Sequence, residues 1–105
     1  MCIAMRFEWD AEKNRINKQK HDGLSFESAA RVFDDPFTMF RKDRVVAGEQ
    51  RWHAIGMAAD ALSLVVHVYR MENDNDNDKE ETIRIISARE ANKRERRIYI
   101  QQAAE

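Results

Sequence analysis

The spacing of hydrophobic residues along this chain changes near Phe37. Before that point, apolar side chains recur three and four positions apart, which is the spacing of a helix that buries one face. After that point, apolar and polar residues alternate with a period of two, which is typical of strands with one buried face. The pattern therefore predicts helices first and a sheet afterwards. The helical stripe consists of Phe26, Ala29, Ala30 and Phe33.

Two helices are predicted in the first third of the chain. The first spans about residues 11–20, follows Asp10 as a favourable N-cap, and ends near Gly23, where a left-handed backbone is easily adopted. The second spans about 26–33 and ends before Pro36, because proline disfavours helical geometry in the residue that precedes it. The predicted inner face of the first helix consists of Trp9, Lys13, Ile16, Asn17 and Lys20.

Five strands and a final helix complete the predicted order. Residues 41–48 are interpreted as a turn or loop, and residues 89–102 as the final helix. Consecutive strands joined by short turns favour antiparallel pairing. The prediction is an α+β domain, in which a small antiparallel β-sheet is packed by two N-terminal helices and one C-terminal helix (β-α-α-β-β-β-β-α). The strands are expected at 7–9, 37–40, 50–58, 62–69 and 82–87.

Charge is distributed unevenly along the chain. The formal net charge is −1, but residues 71–81 carry six acidic side chains and one lysine, a sum of −5, which leaves +4 on the remainder. The body of the protein is therefore basic and one segment is acidic. We interpret 1–5 as a flexible N-terminal extension, 6–105 as a single domain, and 71–81 as an acidic hairpin loop within it.

Composition excludes several classes of site. The single cysteine excludes an internal disulfide and a cysteine-rich zinc site. Asp74, Asp76 and Asp78 resemble the start of a calcium-binding EF-hand loop, but Lys79 and Ile85 stand where that loop requires glycine and glutamate. No metal and no cofactor are therefore predicted. The chain has no apolar run long enough for a membrane span and no signal peptide at its start, so a cytoplasmic location is expected.

Two arginines stand out near the last predicted strand. Arg84 interrupts the apolar run between Ile83 and Ile85, and Arg89 lies at the junction with the final helix. Because alternate side chains of a strand point to opposite faces, Arg84 projects away from its apolar neighbours. A guanidinium group in such a place requires a carboxylate or a phosphate. Glu95 is the candidate carboxylate, and RNA or DNA is the candidate source of phosphate.

The three histidines show no metal-ligand spacing and are interpreted separately. His67 lies in the most apolar strand and is interpreted as structural. His53 faces the same side as Arg51 if the alternation holds, where it could approach a ligand. His21 follows the first helix, where a protonated imidazole is favourable, so a structural and a functional role both remain open.

The chain resembles the BrnT toxins over about residues 6–100, in order along nearly its whole length. The matching N-terminal segments are Phe7-Glu8-Trp9-Asp10, Lys13-Asn14, Asn17, Lys20-His21, Ser25-Phe26-Glu27 and Val32-Phe33-Asp34-Asp35-Pro36. The matching C-terminal segments are Arg51, Ile55-Gly56, Ile83-Arg84-Ile85-Ile86-Ser87-Ala88-Arg89, Glu95-Arg96 and Tyr99. The set is specific in combination, although no single segment is.

The resemblance implies a ribonuclease toxin of a type II toxin–antitoxin module with a RelE-like fold. It also implies a hetero-oligomer with a BrnA-like ribbon-helix-helix antitoxin. The toxin contacts DNA only through this antitoxin, and the two proteins together repress their own operon. Two departures are visible. Asp22 is inserted between His21 and Gly23, where the family usually has Lys-His-Gly, and residues 71–81 form a longer connection than usual.

The residues and the resemblance together predict a metal-independent endoribonuclease, in which general acid–base groups and preorganised cations act on the phosphate. The competing hypothesis is a non-catalytic module that binds nucleic acid or an antitoxin through the same basic groove. The candidate catalytic residues are His21, Arg84, Arg89 and Glu95, with His21 or Glu95 as the base. The candidate RNA-binding residues are Lys13, Lys20, Arg51 and Arg94. Arg84 and Arg89 are expected to face the first helix.

Overall fold

The computed structural model describes residues 4–73 and 79–104, which form an α+β domain as predicted. Within these ranges, no helix has the length and apolar character needed to cross a membrane. The strands are β1 (Ala4–Glu8), β2 (Met39–Val46), β3 (Glu49–Ala58), β4 (Ala61–Asn73) and β5 (Lys79–Glu90). The helices are α1 (Ala11–Lys20), α2 (Phe26–Ala29), which continues as a 3-10 turn over Ala30–Asp34, and α3 (Lys93–Ala103).

The five strands form one mixed sheet in the order β1-β5-β4-β3-β2. The four strands from β2 to β5 follow one another as antiparallel neighbours, as predicted. β1 instead pairs in parallel with β5, with Glu8 opposite Arg84. The prediction of an entirely antiparallel sheet is therefore wrong at this edge. The chain between β1 and β5 contains every other strand, so no short turn fixes their relative direction.

Helices pack on both faces of the sheet. On one face, Phe26 of α2 and Val32 of the 3-10 turn belong to a core cluster with Val65 of β4. On the other face, Tyr99 of α3 packs against a cluster that includes Leu64 of β4. Because Leu64 and Val65 are consecutive in a strand, the two clusters lie on opposite faces. We call these the α2 face and the α3 face.

α1 begins and ends where the sequence predicts, but only part of its predicted inner face is buried. The carboxylate of Asp10 accepts hydrogen bonds from two N–H groups of the first turn, at 2.9 and 3.0 Å. The buried residues of the helix are Asn14 and Asn17, whereas Ile16 is 36% exposed. The predicted inner face is therefore right at Asn17 and wrong at Ile16, and the second buried residue is Asn14. Amides replace Ile16 because Asn17 Oδ1 accepts the Ala88 N–H of β5, at 3.2 Å.

Two predicted boundaries in the second half of the chain move. The segment 41–48, interpreted as a turn or loop, is mostly strand β2, and only residues 47–48 form the turn to β3. The final helix begins at Lys93 instead of Arg89, because β5 continues through Glu90. Arg89 is thus a strand residue, and its side chain is governed by the alternation of β5.

The terminal extension and the acidic loop are both shorter than predicted. β1 starts at Ala4, so the segment 1–5 contributes two residues to the sheet. Both ends of the acidic segment 71–81 belong to strands, its first residues to β4 and its last to β5. The two predicted segments also include residues 1–3 and 74–78, which lie outside the described residues.

Candidate functional site

A β-bulge in β5 decides which face of the sheet its arginines occupy. Arg84 and Arg89 are five residues apart, so in a regular strand they would point to opposite faces. The pairing of β5 with β4 skips one residue at Ile86, and an extra residue reverses the alternation beyond it. As a result, Arg84 pairs with Val68 and Arg89 with Leu64, both on the α3 face. The two guanidinium groups therefore share that face.

Further polar residues extend this surface across the sheet. Arg51 and His53 precede Ile55 by four and two positions in β3, and Ile55 belongs to the core of the α3 face, so all three share it. Arg41 of β2 lies directly opposite His53. The predicted common orientation of Arg51 and His53 is confirmed. We call this surface the basic face, and it consists of Arg41, Arg51, His53, Arg84 and Arg89.

Arg84 shares its carboxylate partner with a second arginine. Its guanidinium donates to Glu8 Oε1 at 3.3 Å, and Arg70 donates to the same oxygen at 3.3 Å. The Arg84 side chain is 30% exposed. The carboxylate beside Arg84 is therefore Glu8, not Glu95 as the sequence suggested. Arg70 also contacts Glu49 at 3.2 Å, so Arg70 has two carboxylate partners, whereas Arg84 has, among the described residues, only its shared contact with Glu8.

Arg89 is held by a two-point contact with Glu95. Its two terminal nitrogens donate to the two carboxylate oxygens, each at 2.8 Å. Glu95 also accepts the Asn92 N–H at 2.9 Å, as part of the capping box that begins α3. The hydrogen bonds from Arg89 outweigh the effect of burial and lower the pKa of Glu95. Glu95 is thus a buried, ionised group that fixes the position of Arg89.

α1 lies along the edge of β5, beyond the point where β1 ends. Lys13, Lys20 and His21 line a cavity of about 190 Å³ there, which we call the edge cavity. Ser87 of β5 also lines it, and Ser87 pairs with Val66 on the α3 face. The edge cavity therefore adjoins the basic face, although α1 flanks that face instead of lying across from it as predicted.

The predicted site residues thus fall into two groups and one outlier. Three line the edge cavity, and four lie on or beneath the basic face. The side chain of Arg94 is exposed on α3 and makes no hydrogen bond or ion pair with any other residue that the structure describes.

The start of α1 is close to Arg84. The hydrogen bond from the Lys13 N–H is the main cause that lowers the pKa of Asp10, and the charge of Arg84 also contributes.

Sequence reasoning missed a histidine–carboxylate pair on the basic face. His53 Nε2 lies 3.1 Å from Asp43 Oδ2, and the two side chains are 25% and 31% exposed. Beside them, Arg41 Nε is buried and has no hydrogen-bond partner in the described part of the chain. Asp43 and Arg41 were missed because their segment was interpreted as a loop. The available signal was Gly48, since glycine readily adopts the positive φ that a two-residue hairpin turn requires.

Asp35 connects α3 to the sheet. Its Oδ2 accepts the Tyr99 hydroxyl at 2.8 Å and the Met57 N–H at 2.9 Å, and its Oδ1 accepts the Phe37 N–H at 2.9 Å. Burial disfavours charge on Asp35, but these hydrogen bonds outweigh it and lower the pKa of the carboxyl. Burial and the contact with Asp35 raise the pKa of Tyr99 to about 12. Tyr99 therefore stays protonated and holds α3 over its half of the sheet.

Among residues 4–73 and 79–104, no three His, Cys, Asp or Glu side chains are grouped so that they could hold a metal ion. The aspartates that resemble an EF-hand opening, Asp74, Asp76 and Asp78, lie outside these ranges.

Comparison with known proteins identifies the family. A family model described as the ribonuclease toxin, BrnT, of type II toxin–antitoxin systems matches residues 9–95. No curated protein matches the chain significantly. The matched segment runs from the end of β1 to Glu95, so it includes the edge cavity and the basic face. This chain belongs to the BrnT family of ribonuclease toxins of type II toxin–antitoxin systems.

Proposed function

We propose that this protein is an endoribonuclease that cleaves RNA without a metal ion and uses the basic face to bind the scissile phosphate. The observation that carries the proposal is the bulge at Ile86, which brings Arg84 and Arg89 to one face with Arg41 and Arg51. Bulges beside functional sites often re-aim a side chain in this way. Cations that are already in place stabilise the charge that develops on the phosphate oxygens during cleavage.

Arg84 is the proposed ligand of the scissile phosphate. Both terminal nitrogens of Arg89 are bound to Glu95 at 2.8 Å, whereas Arg84 shares Glu8 over 3.3 Å. A phosphate can therefore replace the contact of Arg84 more easily than that of Arg89. Because both oxygens of Glu95 already accept hydrogen bonds, we assign Glu95 to positioning Arg89 and not to proton transfer.

The RNA backbone is proposed to continue from the basic face into the edge cavity. Lys13, Lys20 and His21 supply cationic or titratable groups there, and Ser87 links the two surfaces. Contacts of this kind to phosphates give affinity without sequence preference. We therefore propose that His21 contacts RNA along its path, and that exposed Arg94 contributes only general attraction.

The antitoxin that a type II toxin requires is proposed to be a BrnA-like ribbon-helix-helix protein. In this proposal the antitoxin binds DNA, the toxin reaches DNA only through the complex, and an acidic antitoxin segment covers the basic face. We also assign the mixed sheet with helices on both faces to the RelE-like superfamily.

The test is RNA cleavage by the purified protein in excess chelator. Wild-type protein is expected to cleave, and Arg84→Ala is expected to lose about 10²–10³-fold in rate, which is typical for removing one group that stabilises a developing anion. Arg31→Ala is the matched control, because Arg31 is exposed in the 3-10 turn and lies outside the basic face. Strict dependence on added divalent metal, or full activity of folded Arg84→Ala, contradicts the proposal.

A non-catalytic binding module is the second candidate, and one observation favours it. Arg84 and Arg89 both have carboxylate partners within the chain, Glu8 and Glu95, which would account for them without a substrate. Such a module binds RNA or the antitoxin but leaves RNA intact. Growth arrest on expression, relieved by the product of an adjacent short reading frame and accompanied by RNA cleavage, favours the enzyme. Binding without arrest or cleavage favours the module.

A further inference from the structure

The pair of His53 and Asp43 has the arrangement of an imidazole oriented by a carboxylate. His53 Nε2 lies 3.1 Å from Asp43 Oδ2, and both side chains are partly exposed. A carboxylate at this distance favours a proton on Nε2 and leaves Nδ1 as the nitrogen that accepts or releases a proton. Within the described residues, the ring of His53 makes this contact through Nε2, and Nδ1 makes no hydrogen bond.

Strand pairing places His53 in the middle of the basic face. His53 pairs with Arg41 on β2 and with Val66 on β4, and Val66 pairs with Ser87 next to the bulge in β5. β5 is thus two strands from His53, a distance of about 10 Å across the sheet. Arginine side chains from β5 can reach toward the middle strands over this distance. A phosphate bound by Arg84 therefore lies within reach of groups on β3.

Arg41 indicates that an anion belongs beside His53. Its Nε is buried and has no hydrogen-bond partner among the described residues. A buried donor of a charged group is costly to leave unpaired, and an anion beside the same guanidinium group would offset its charge. The charge of Arg41 is also among the causes that lower the pKa of Glu95, after the stronger hydrogen bond from Arg89. Arg41 is thus close enough to the Arg89–Glu95 pair for its charge to act on Glu95.

We propose that His53 is the general base of RNA cleavage, that Asp43 positions it, and that Arg41 binds the scissile phosphate opposite Arg84. This inference rests on the proposed ribonuclease function. In the step, Nδ1 accepts the proton of the 2′-hydroxyl while the 2′-oxygen bonds to phosphorus. The bond from phosphorus to the 5′-oxygen breaks, and that oxygen takes a proton from water, whose hydroxide then takes the proton from His53. The products are a 2′,3′-cyclic phosphate and a 5′-hydroxyl.

The other titratable groups fit this role less well. Both oxygens of Glu95 are engaged by Arg89. His21 lies in the edge cavity, at the far side of β5 from the middle strands. His67 is completely buried on the α2 face, where burial, together with the charge of His53, lowers its pKa to about 4, although its contact with the Val65 carbonyl opposes this. The charged groups beside His53 are Asp43 and Arg41 on β2 and Arg51 on its own strand, and His67 of β4 is the titratable group on which the charge of His53 acts.

The experiment measures single-turnover cleavage in chelator as a function of pH. His53→Gln is expected to lose about 10²–10⁴-fold in rate and to lose the part of the pH profile that reports a deprotonated base. Asp43→Asn is expected to lose less of the cleavage rate than His53→Gln and to shift that part of the profile to a different pH. Added imidazole is expected to restore part of the rate to His53→Ala and none to Arg84→Ala. Affinity for a 2′-deoxy substrate, which cannot be cleaved, is expected to stay unchanged in His53→Gln.

Lys42→Gln is the matched control, because Lys42 is exposed between Arg41 and Asp43 and faces the opposite side of β2. It is expected to cleave like the wild type. Suppose that wild type and Lys42→Gln cleave RNA and that Arg84→Ala does not. If folded His53→Gln then cleaves with an unchanged pH profile, the assignment of His53 is overturned while the ribonuclease function stands. If wild-type protein does not cleave RNA, the proposed function is overturned, and this inference with it.

Discussion

Two guanidinium groups on the same sheet face differ in how firmly they are held. Arg89 makes two contacts of 2.8 Å with Glu95, whose side chain is only 8% exposed. Arg84 reaches Glu8 at 3.3 Å, and that carboxylate side chain is 41% exposed. A two-point contact fixes the orientation of a guanidinium group as well as its position. Arg89 is therefore a fixed part of the surface, whereas Arg84 can exchange its partner.

The Arg89–Glu95 pair gives a prediction about stability. Glu95→Gln keeps the shape of the side chain but removes its charge, and we expect a loss of about 1.5–3 kcal/mol in the free energy of unfolding at pH 7. Because the pKa of Glu95 is lowered in the folded state, the contribution of the carboxylate is present above the unfolded value of 4.5 and is lost as the pH falls below it. The difference between variant and wild type in urea unfolding should therefore shrink below pH 4.5.

The control for this prediction is Glu90→Gln. Glu90 pairs with Arg96 at 3.1 Å, but both side chains are largely exposed, so the change should cost at most about 1 kcal/mol. Equal losses in Glu95→Gln and Glu90→Gln would show that the two-point contact contributes no more to the free energy of unfolding than the exposed pair does.

Sequence reasoning at this scale predicted an anion beside Arg84 but named the wrong carboxylate. The argument that a guanidinium group interrupting an apolar strand needs an anion is supported at Arg84, which contacts Glu8. The partner was wrong because Glu8 is 76 residues away in sequence and comes near only through the parallel pairing of β1 and β5. Alternation along one strand predicts the direction of a side chain, but it carries no information about its neighbours on other strands.

At the scale of elements, α1 is held to the domain by amides and not by an apolar stripe. Asn14 accepts the Phe26 N–H at 2.8 Å and donates to Glu27 at 2.8 Å. Asn17 donates to the Leu24 carbonyl and accepts the Ala88 N–H of β5. These bonds satisfy backbone groups that would otherwise be unpaired. They also keep the outer side of α1 free for the lysines of the edge cavity.

Asn17→Ala tests this attachment. The change leaves the buried Ala88 N–H without its partner, and we expect a loss of about 1–3 kcal/mol in the free energy of unfolding. Amide hydrogen exchange at Ala88 should become faster. Lys18→Ala, an exposed change on the same helix, should stay within about 0.5 kcal/mol of wild type. An Ala88 amide that remains as protected as in wild type would contradict the prediction.

Local signals predicted the elements well, and non-local pairing was the source of the errors. Asp10 and Ser25 cap α1 and α2 as expected, because capping depends on residues within one turn. β2 was interpreted as a loop because it lies at the edge of the sheet, where many of its side chains are exposed and charged residues are tolerated. The bulge at Ile86 has no local signature, since it is defined by the register with β4.

At the scale of the whole molecule, the sheet separates a polar surface from an aromatic core. On the α2 face, His67 is completely buried, and the rings of Phe33 and Tyr69 each lie 4.9 Å from it. Its Nε2 has no hydrogen-bond partner among the described residues. A histidine in this environment is neutral, in agreement with a structural role.

His67 makes the stability of the whole domain depend on pH. Its pKa is lowered from 6.5 to about 4 in the folded state, so the unfolded chain binds the proton more readily. Stability is therefore complete above pH 6.5 and falls by about 3 kcal/mol as the pH approaches 4. Urea unfolding between pH 7 and 5 checks this. His67→Leu should remove most of the slope, and His21→Gln should retain it. An equal slope in His67→Leu would assign the dependence to other groups.

Because of the bulge at Ile86, the number of residues between Arg84 and Arg89 decides whether the two side chains share a face. Adding or removing one residue between Arg84 and Arg89 would send the two arginines to opposite sides of the sheet while leaving both in the sequence. Relatives of this chain should therefore accept substitutions at Ile86 more readily than insertions or deletions beside it. A comparison that counts only identical residues would score such a length variant as intact, although its two arginines could no longer meet at one phosphate.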